Sequence, residues 1–66
     1  MRDRIGQVWI SKSDDEVFVI VRTRRHRSYD VSIHLPVCLS TGKLVSEWIE
    51  DDIDCWEDEF ELTRII

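Results

Sequence analysis

The stretch Tyr29-Asp30-Val31-Ser32-Ile33-His34-Leu35-Pro36-Val37-Cys38-Leu39 decides the fold. Tyr29, Val31, Ile33, Leu35, Val37 and Leu39 are apolar and alternate with Asp30, Ser32, His34, Pro36 and Cys38. A period of two lines one face of a strand, whereas on a helix it scatters around the axis. The spacing predicts a β-strand with its odd-numbered face in a core and its even-numbered face near water. At about 3.3 Å per residue the stretch would run about 36 Å, while a usual strand has about 5–6 residues. The strand is therefore expected to bend, and Pro36, which lacks an N–H, marks the place. A long bent strand shared by two sheets is how small barrels close.

Working outward, residues 5–11 read as a first strand, with Val8 and Ile10 on one face and Trp9 on the other. Gly6 at its start marks a bulge or a close backbone approach. Residues 12–16 form a polar Ser/Asp turn. Residues 17–24 read as a second strand, with Val17, Val19 and Val21 on one face and Phe18 and Ile20 on the other. Apolar residues on both faces indicate a strand covered on both sides. Residues 24–28 make an open loop. Residues 40–43 make a tight turn in which Gly42 takes the left-handed conformation. Residues 44–50 are a fourth strand. The spacing of Ile49, Ile53, Trp56 and Phe60 predicts a short helical turn, with Asp51 or Asp52 as its cap. Residues 60–65 are the fifth strand. The expected core comprises Val8, Ile10, Val17, Val19, Val21, Val31, Ile33, Leu35 and Leu62, with Trp56 and Phe60 also assigned to it.

Five short strands, tight hairpins and one helical turn before the last strand resemble an SH3-like small barrel, over residues 5–66. The pair Ile5-Gly6-Gln7-Val8-Trp9 and Val17-Phe18-Val19-Ile20-Val21 is similar to the opening of KOW-type modules, which usually carry a glycine in the first turn, where this chain has Asp14-Asp15-Glu16. The resemblance implies an all-β, five-stranded, partly open barrel. It also implies a binding role, since such barrels take peptides, nucleic acid or partner subunits. Fold alone does not choose among these.

The sequence of 66 residues organises as one domain, residues 1–66. A chain of this size buries only about 60% of its unfolded surface, which leaves little room for a shielded catalytic cleft. The longest apolar run, residues 17–21, is far short of the roughly 20 residues of a membrane span. Residues 1–4 are charged, are expected to fray, and lack the apolar region of a signal peptide. A cytoplasmic location is the expectation, with Cys38 and Cys55 as reduced thiols.

The net charge of −5 is unevenly spread. Residues 1–30 hold seven Lys and Arg against five Asp and Glu, whereas residues 31–66 hold two against nine. All nine of those acids fall within residues 47–61. Carboxylates around aromatic residues suit a basic protein surface, which makes Trp48, Glu50, Asp51, Asp52 and Asp54 the candidate partner-binding set. Self-association is the simplest version of such binding, with Trp9 at a homodimer contact. Another version is mimicry of nucleic-acid phosphate to block a basic site. The alternative reading is nucleic-acid binding through Arg22, Arg24, Arg25 and Arg27, with Tyr29 as a stacking aromatic. The net negative charge opposes it.

Catalytic and metal chemistry find no pattern. The Asp cluster lacks the glycine and ligand order of a calcium loop. Cys38, Cys55, His26 and His34 have no zinc-site spacing. His34 and Cys38, four residues apart on one strand, stand about 13 Å from each other. The expectation is a binding module that is not an enzyme and needs no cofactor.

Overall fold

The computed structural model describes residues 4–66. Residues 1–3, expected to fray, lie outside the described residues; Arg4, grouped with them, is buried. The elements are β1 (Gln7–Ser11), β2 (Val17–Arg25), β3 (Ser32–Cys38), β4 (Lys43–Leu44), β5 (Trp48–Ile49), a 3₁₀ turn (Glu50–Asp52), α1 (Ile53–Glu59) and β6 (Phe60–Ile65). All pairings are antiparallel. The sheet runs β4-β3-β2-β1-β6, and β5 joins the same side of β3 as a separate short pairing. The last strand thus returns to the first, while the sheet stays open between β6 and β4. The expected fourth strand is split by residues 45–47 into β4 and β5. Among the described residues no helix is long and apolar enough to cross a membrane.

Three glycine or turn positions explain the connections. Gly6, at φ +94°, donates its N–H to the Ile20 carbonyl and accepts from the Ile66 N–H, each at 2.8 Å. A Cβ there would sit 2.8 Å from the Ile66 carbonyl oxygen, so the expected close approach is real. Gly42, at φ +72°, closes the β3–β4 turn through its N–H to the Cys38 carbonyl. In the first turn it is Asp15 that takes the left-handed conformation, at φ 59°. Aspartate tolerates that region better than most residues.

The register overturns the expected facing of the strands. Phe18 pairs with Cys38, Ile20 with Pro36 and Thr23 with His34. Ser32, His34, Pro36 and Cys38, expected near water, are the buried inner face of β3. The core is aromatic: Trp9, Ile20, Trp48 and Trp56, with Phe18, Ile53 and Phe60 packed against them. Ring contacts run from Trp9 to Trp48 and Trp56, edge-on at 6.1 and 5.9 Å, and from Trp48 to Phe60 at 4.9 Å. Of the expected core, Val8 and Ile33 are buried, while Val21 and Leu62 are exposed and the rest are half-buried. The cause is size. The first two strands offer an apolar row on either face, and each aromatic ring brings about 150–250 Å² of burial, so the helical segment covers the side that carries them. Trp9, expected at a homodimer contact, is 2% exposed at the centre of this cluster. Trp56 and Phe60 fall in the core as expected.

The bend expected in β3 at Pro36 is not where the irregularity falls: it lies on β2, opposite Pro36. The β2 register slips between Ile20 and Arg22, beside Pro36 and Leu35, leaving Val21 as the extra residue of a bulge. The helical turn forms as expected, but neither Asp51 nor Asp52 caps it: no side-chain cap bond exists at either helix start. A helix of seven residues with carboxylates in its last turn is weak alone. Trp56 and Ile53, packed on the core, hold it.

Gly6→Ala is expected to lower stability by about 1–2 kcal/mol or more, from the positive φ and the close carbonyl. Asp15→Gly should raise it by a few tenths to about 1 kcal/mol. Urea melts of the two variants check both signs.

Candidate functional site

Two surfaces and one buried network carry the chemistry-bearing side chains. The network starts at Glu50, the first residue of the 3₁₀ turn. Arg4 Nε and Nη2 donate to Glu50 Oε1 and Oε2, each at 2.7 Å. His34 Nε2 lies 2.7 Å from Oε1, and Nδ1 lies 2.9 Å from Thr23 Oγ1. Arg4 Nη1 reaches Gln7 Oε1 at 3.3 Å, and the same oxygen accepts from Trp9 Nε1 at 3.1 Å. The Arg4 guanidinium also sits 5.7 Å from the Trp56 ring centre.

The proton positions follow from these roles. A carboxylate only accepts, so Nε2 carries the hydrogen on the Glu50 side. In the neutral ring, Nδ1 then accepts from the Thr23 hydroxyl. The Arg4 guanidinium, chiefly through its hydrogen bonds, holds the Glu50 carboxyl down to about 2, against an ordinary 4.5. Burial opposes that shift, and the bond from His34 adds to it. Among the described residues no buried side-chain N or O atom lacks a partner.

Thr23, His34 and Glu50 thus stand in the order hydroxyl, imidazole, carboxylate, an arrangement that residues 11 and 16 apart in sequence gave no sign of. A nucleophile relay uses the same order. Here, however, the ring is 0% exposed and the carboxylate is already shared with Arg4. The imidazole offers no face to a substrate, and the line serves to tie β2, β3, the 3₁₀ turn and the chain before β1 to one another.

The acidic surface is formed by the 3₁₀ turn and α1. Of the expected partner-binding set, Asp51, Asp52 and Asp54 are exposed, and none has an ion pair or side-chain hydrogen bond among the described residues. Trp48 is in the core at 7% exposure and presents no ring to a partner. Glu50 is committed inward. Among the described residues, only two of the nine carboxylates in residues 47–61 have partners, Glu50 and Glu47, the latter with Arg24. Beside α1 runs an open groove whose lining includes Ile53, Glu57, Phe60 and Leu62.

The basic surface lies at the far end of β2. Arg24 is engaged by Glu47, and Arg25 by Asp30 at 3.2 Å. Arg22 and Arg27 are exposed without a partner among the described residues. Tyr29 is 69% exposed, with its ring 5.0 Å from that of His26. Among the described residues no three His, Cys, Asp or Glu side chains converge to hold a metal.

The Glu50 shift gives a pH dependence with a definite sign. A carboxyl whose folded value is depressed adds stability above its unfolded value, and that stability is lost as pH falls through the folded one. Wild-type protein should therefore lose stability between pH 4.5 and about 2. Glu50→Gln should flatten that part of the profile and cost about 3 kcal/mol at neutral pH, because it leaves the buried Arg4 without its carboxylate. Denaturant midpoints measured across the acid range check it. Comparison of the chain with family models, with curated proteins and with solved structures found no match.

Proposed function

We propose that this chain is a small interaction module of SH3-like build that catalyses nothing and binds a basic protein surface through its acidic face. The strand order, the return of β6 to β1 and the helical turn before the last strand support the SH3-like reading. The observation that carries the binding reading is the division among the carboxylates. Those of Glu47 and Glu50 are paired within the chain, while Asp51, Asp52 and Asp54 face solvent without a partner among the described residues, next to a groove lined by Ile53, Phe60 and Leu62 together with Lys12 and Glu57. Solubility alone does not require so many like charges on one short segment. At physiological salt the Debye length is about 8 Å, so neighbouring carboxylates repel one another, and a cationic partner relieves that repulsion. Binding built this way adds to association rate and selectivity more than to raw affinity. The enclosed imidazole of His34 supports the non-catalytic part of the reading.

A second reading has one observation in its favour. Arg27 and Tyr29 are both exposed in the loop after β2, and Arg22 is exposed on β2 itself, a basic strand and loop with an aromatic ring that could contact phosphate and stack on a base. Pairing of Arg24 and Arg25 within the chain leaves that loop weakly cationic, which favours the protein-binding reading.

The experiment is a pair of titrations at low salt, one with a labelled peptide of alternating Arg and Leu, one with a labelled oligonucleotide. The peptide should bind, and the combined variant Asp51→Asn, Asp52→Asn and Asp54→Asn should weaken it about tenfold while leaving the fold intact. Oligonucleotide binding that disappears in Arg22→Ala or Arg27→Ala would instead establish the second reading.

A further inference from the structure

The side of the sheet away from α1 carries two apolar rows fixed by the strand register. One row runs Arg64, Val8, Val19, Val37, Leu44 across β6, β1, β2, β3 and β4. The other runs Glu61, Ile10, Val17, and Leu39 prolongs it through its N–H bond to the Val17 carbonyl. Directly paired residues share a sheet face, so each row is aliphatic apart from one charged residue at the β6 edge. Glu61 and Arg64 are three apart and would normally face opposite ways. The register slip beside Val8 and Trp9 leaves Thr63 as an extra residue and brings both to this face. Neither has an ion pair or side-chain hydrogen bond among the described residues. Leu39 and Leu44 are 59% and 57% exposed, and Val17, Val19 and Val37 are half-buried. Within the rows only Val8 is buried, at 4% exposure, so the open part of the face is Ile10, Val17, Val19, Val37, Leu39 and Leu44.

We infer that this face is closed by a second copy of the chain, packed sheet on sheet about a two-fold axis that runs across the strands between the two rows. That axis superposes each row on the other row of the second copy. Val19 then meets Val17 of the second copy, and Val37 meets its Leu39. At the β6 edge Arg64 meets Glu61 of the second copy, and the symmetry makes this pair twice. The surface is thus complementary to itself in both shape class and charge, which an isologous contact requires. Facing sheets stand about 10 Å apart, within reach of an Arg and a Glu extended toward one another. The alternative of adding a strand at the free β6 edge is disfavoured, because a bulge twists an edge away from pairing. The inference is independent of the acidic face, which lies on the other side of the sheet.

Sedimentation of the full chain from about 5 to 500 μM tests it. A monomer–dimer equilibrium is expected for the wild type. Glu61→Arg alone sets Arg against Arg at both edges, and Arg64→Glu alone sets Glu against Glu. Each should weaken dimerisation at least about tenfold. An equimolar mixture of the two variants restores both pairs, so heterodimers should form with near wild-type strength. Near-UV circular dichroism checks that both exposed substitutions keep the fold, and the Asp51, Asp52 and Asp54 variant should dimerise as wild type does. A wild-type chain that stays monomeric throughout overturns the inference. So does a dimer indifferent to both reversals, or a mixture that fails to recover.

Discussion

The Glu50 carboxylate, shared between Arg4 and His34, is the interaction on which the remainder of the structure depends. It joins the segment before β1 to the centre of β3 and to the start of the 3₁₀ turn. Without it, His34 and Arg4 would be buried polar groups lacking their charged partner, and losing one side of such a pair costs about 3–5 kcal/mol. The net gain over an apolar replacement is much smaller. Its contribution is therefore to choose one arrangement: the polar side of β3 can face inward only where this carboxylate waits for it.

That choice explains why the sequence was legible in some respects and misleading in others. Element positions followed from period, turn residues and glycines, because those signals are local. Gly6 marked a close approach and Gly42 a left-handed turn, and the spacing of Ile53, Trp56 and Phe60 marked the helical segment. The facing of the strands is not local. Alternation in β3 separates two sets of residues without saying which set is inside. Val17, Val19 and Leu35 read as a core because they are aliphatic and in phase. The opposing set wins by ring area and by the network that satisfies His34, and both depend on residues far apart in sequence.

The same argument divides the candidate site. Exposed acids at Asp51, Asp52 and Asp54 could be read directly, since a charge run in a small domain has nowhere to go but the surface. Glu50 sits in the same run and is used inward, and nothing in its neighbours distinguishes it. Arg4 offered the only hint, a charged residue ahead of the first strand, and by itself it reads as a frayed end. Trp48 stands among the acids in sequence, although its ring is turned inward against Trp9, Phe18, Trp56 and Phe60. The result is a molecule with an acid-bearing helical side over an aromatic core and an aliphatic side whose charges lie at the β6 edge and, as Arg22 and Arg24, on the far half of β2, two surfaces of different chemistry built from one sheet.

The central claim is that the even-numbered side chains of β3 face the aromatic core. Nuclear Overhauser contacts of the His34 ring test it most directly. The His34 and Trp56 ring centres are 5.6 Å apart, so cross-peaks between their protons are expected, together with slow solvent exchange of the hydrogen on Nε2. Cross-peaks from the indole rings to Leu35 and Val37, with a freely exchanging His34 ring, would contradict the account.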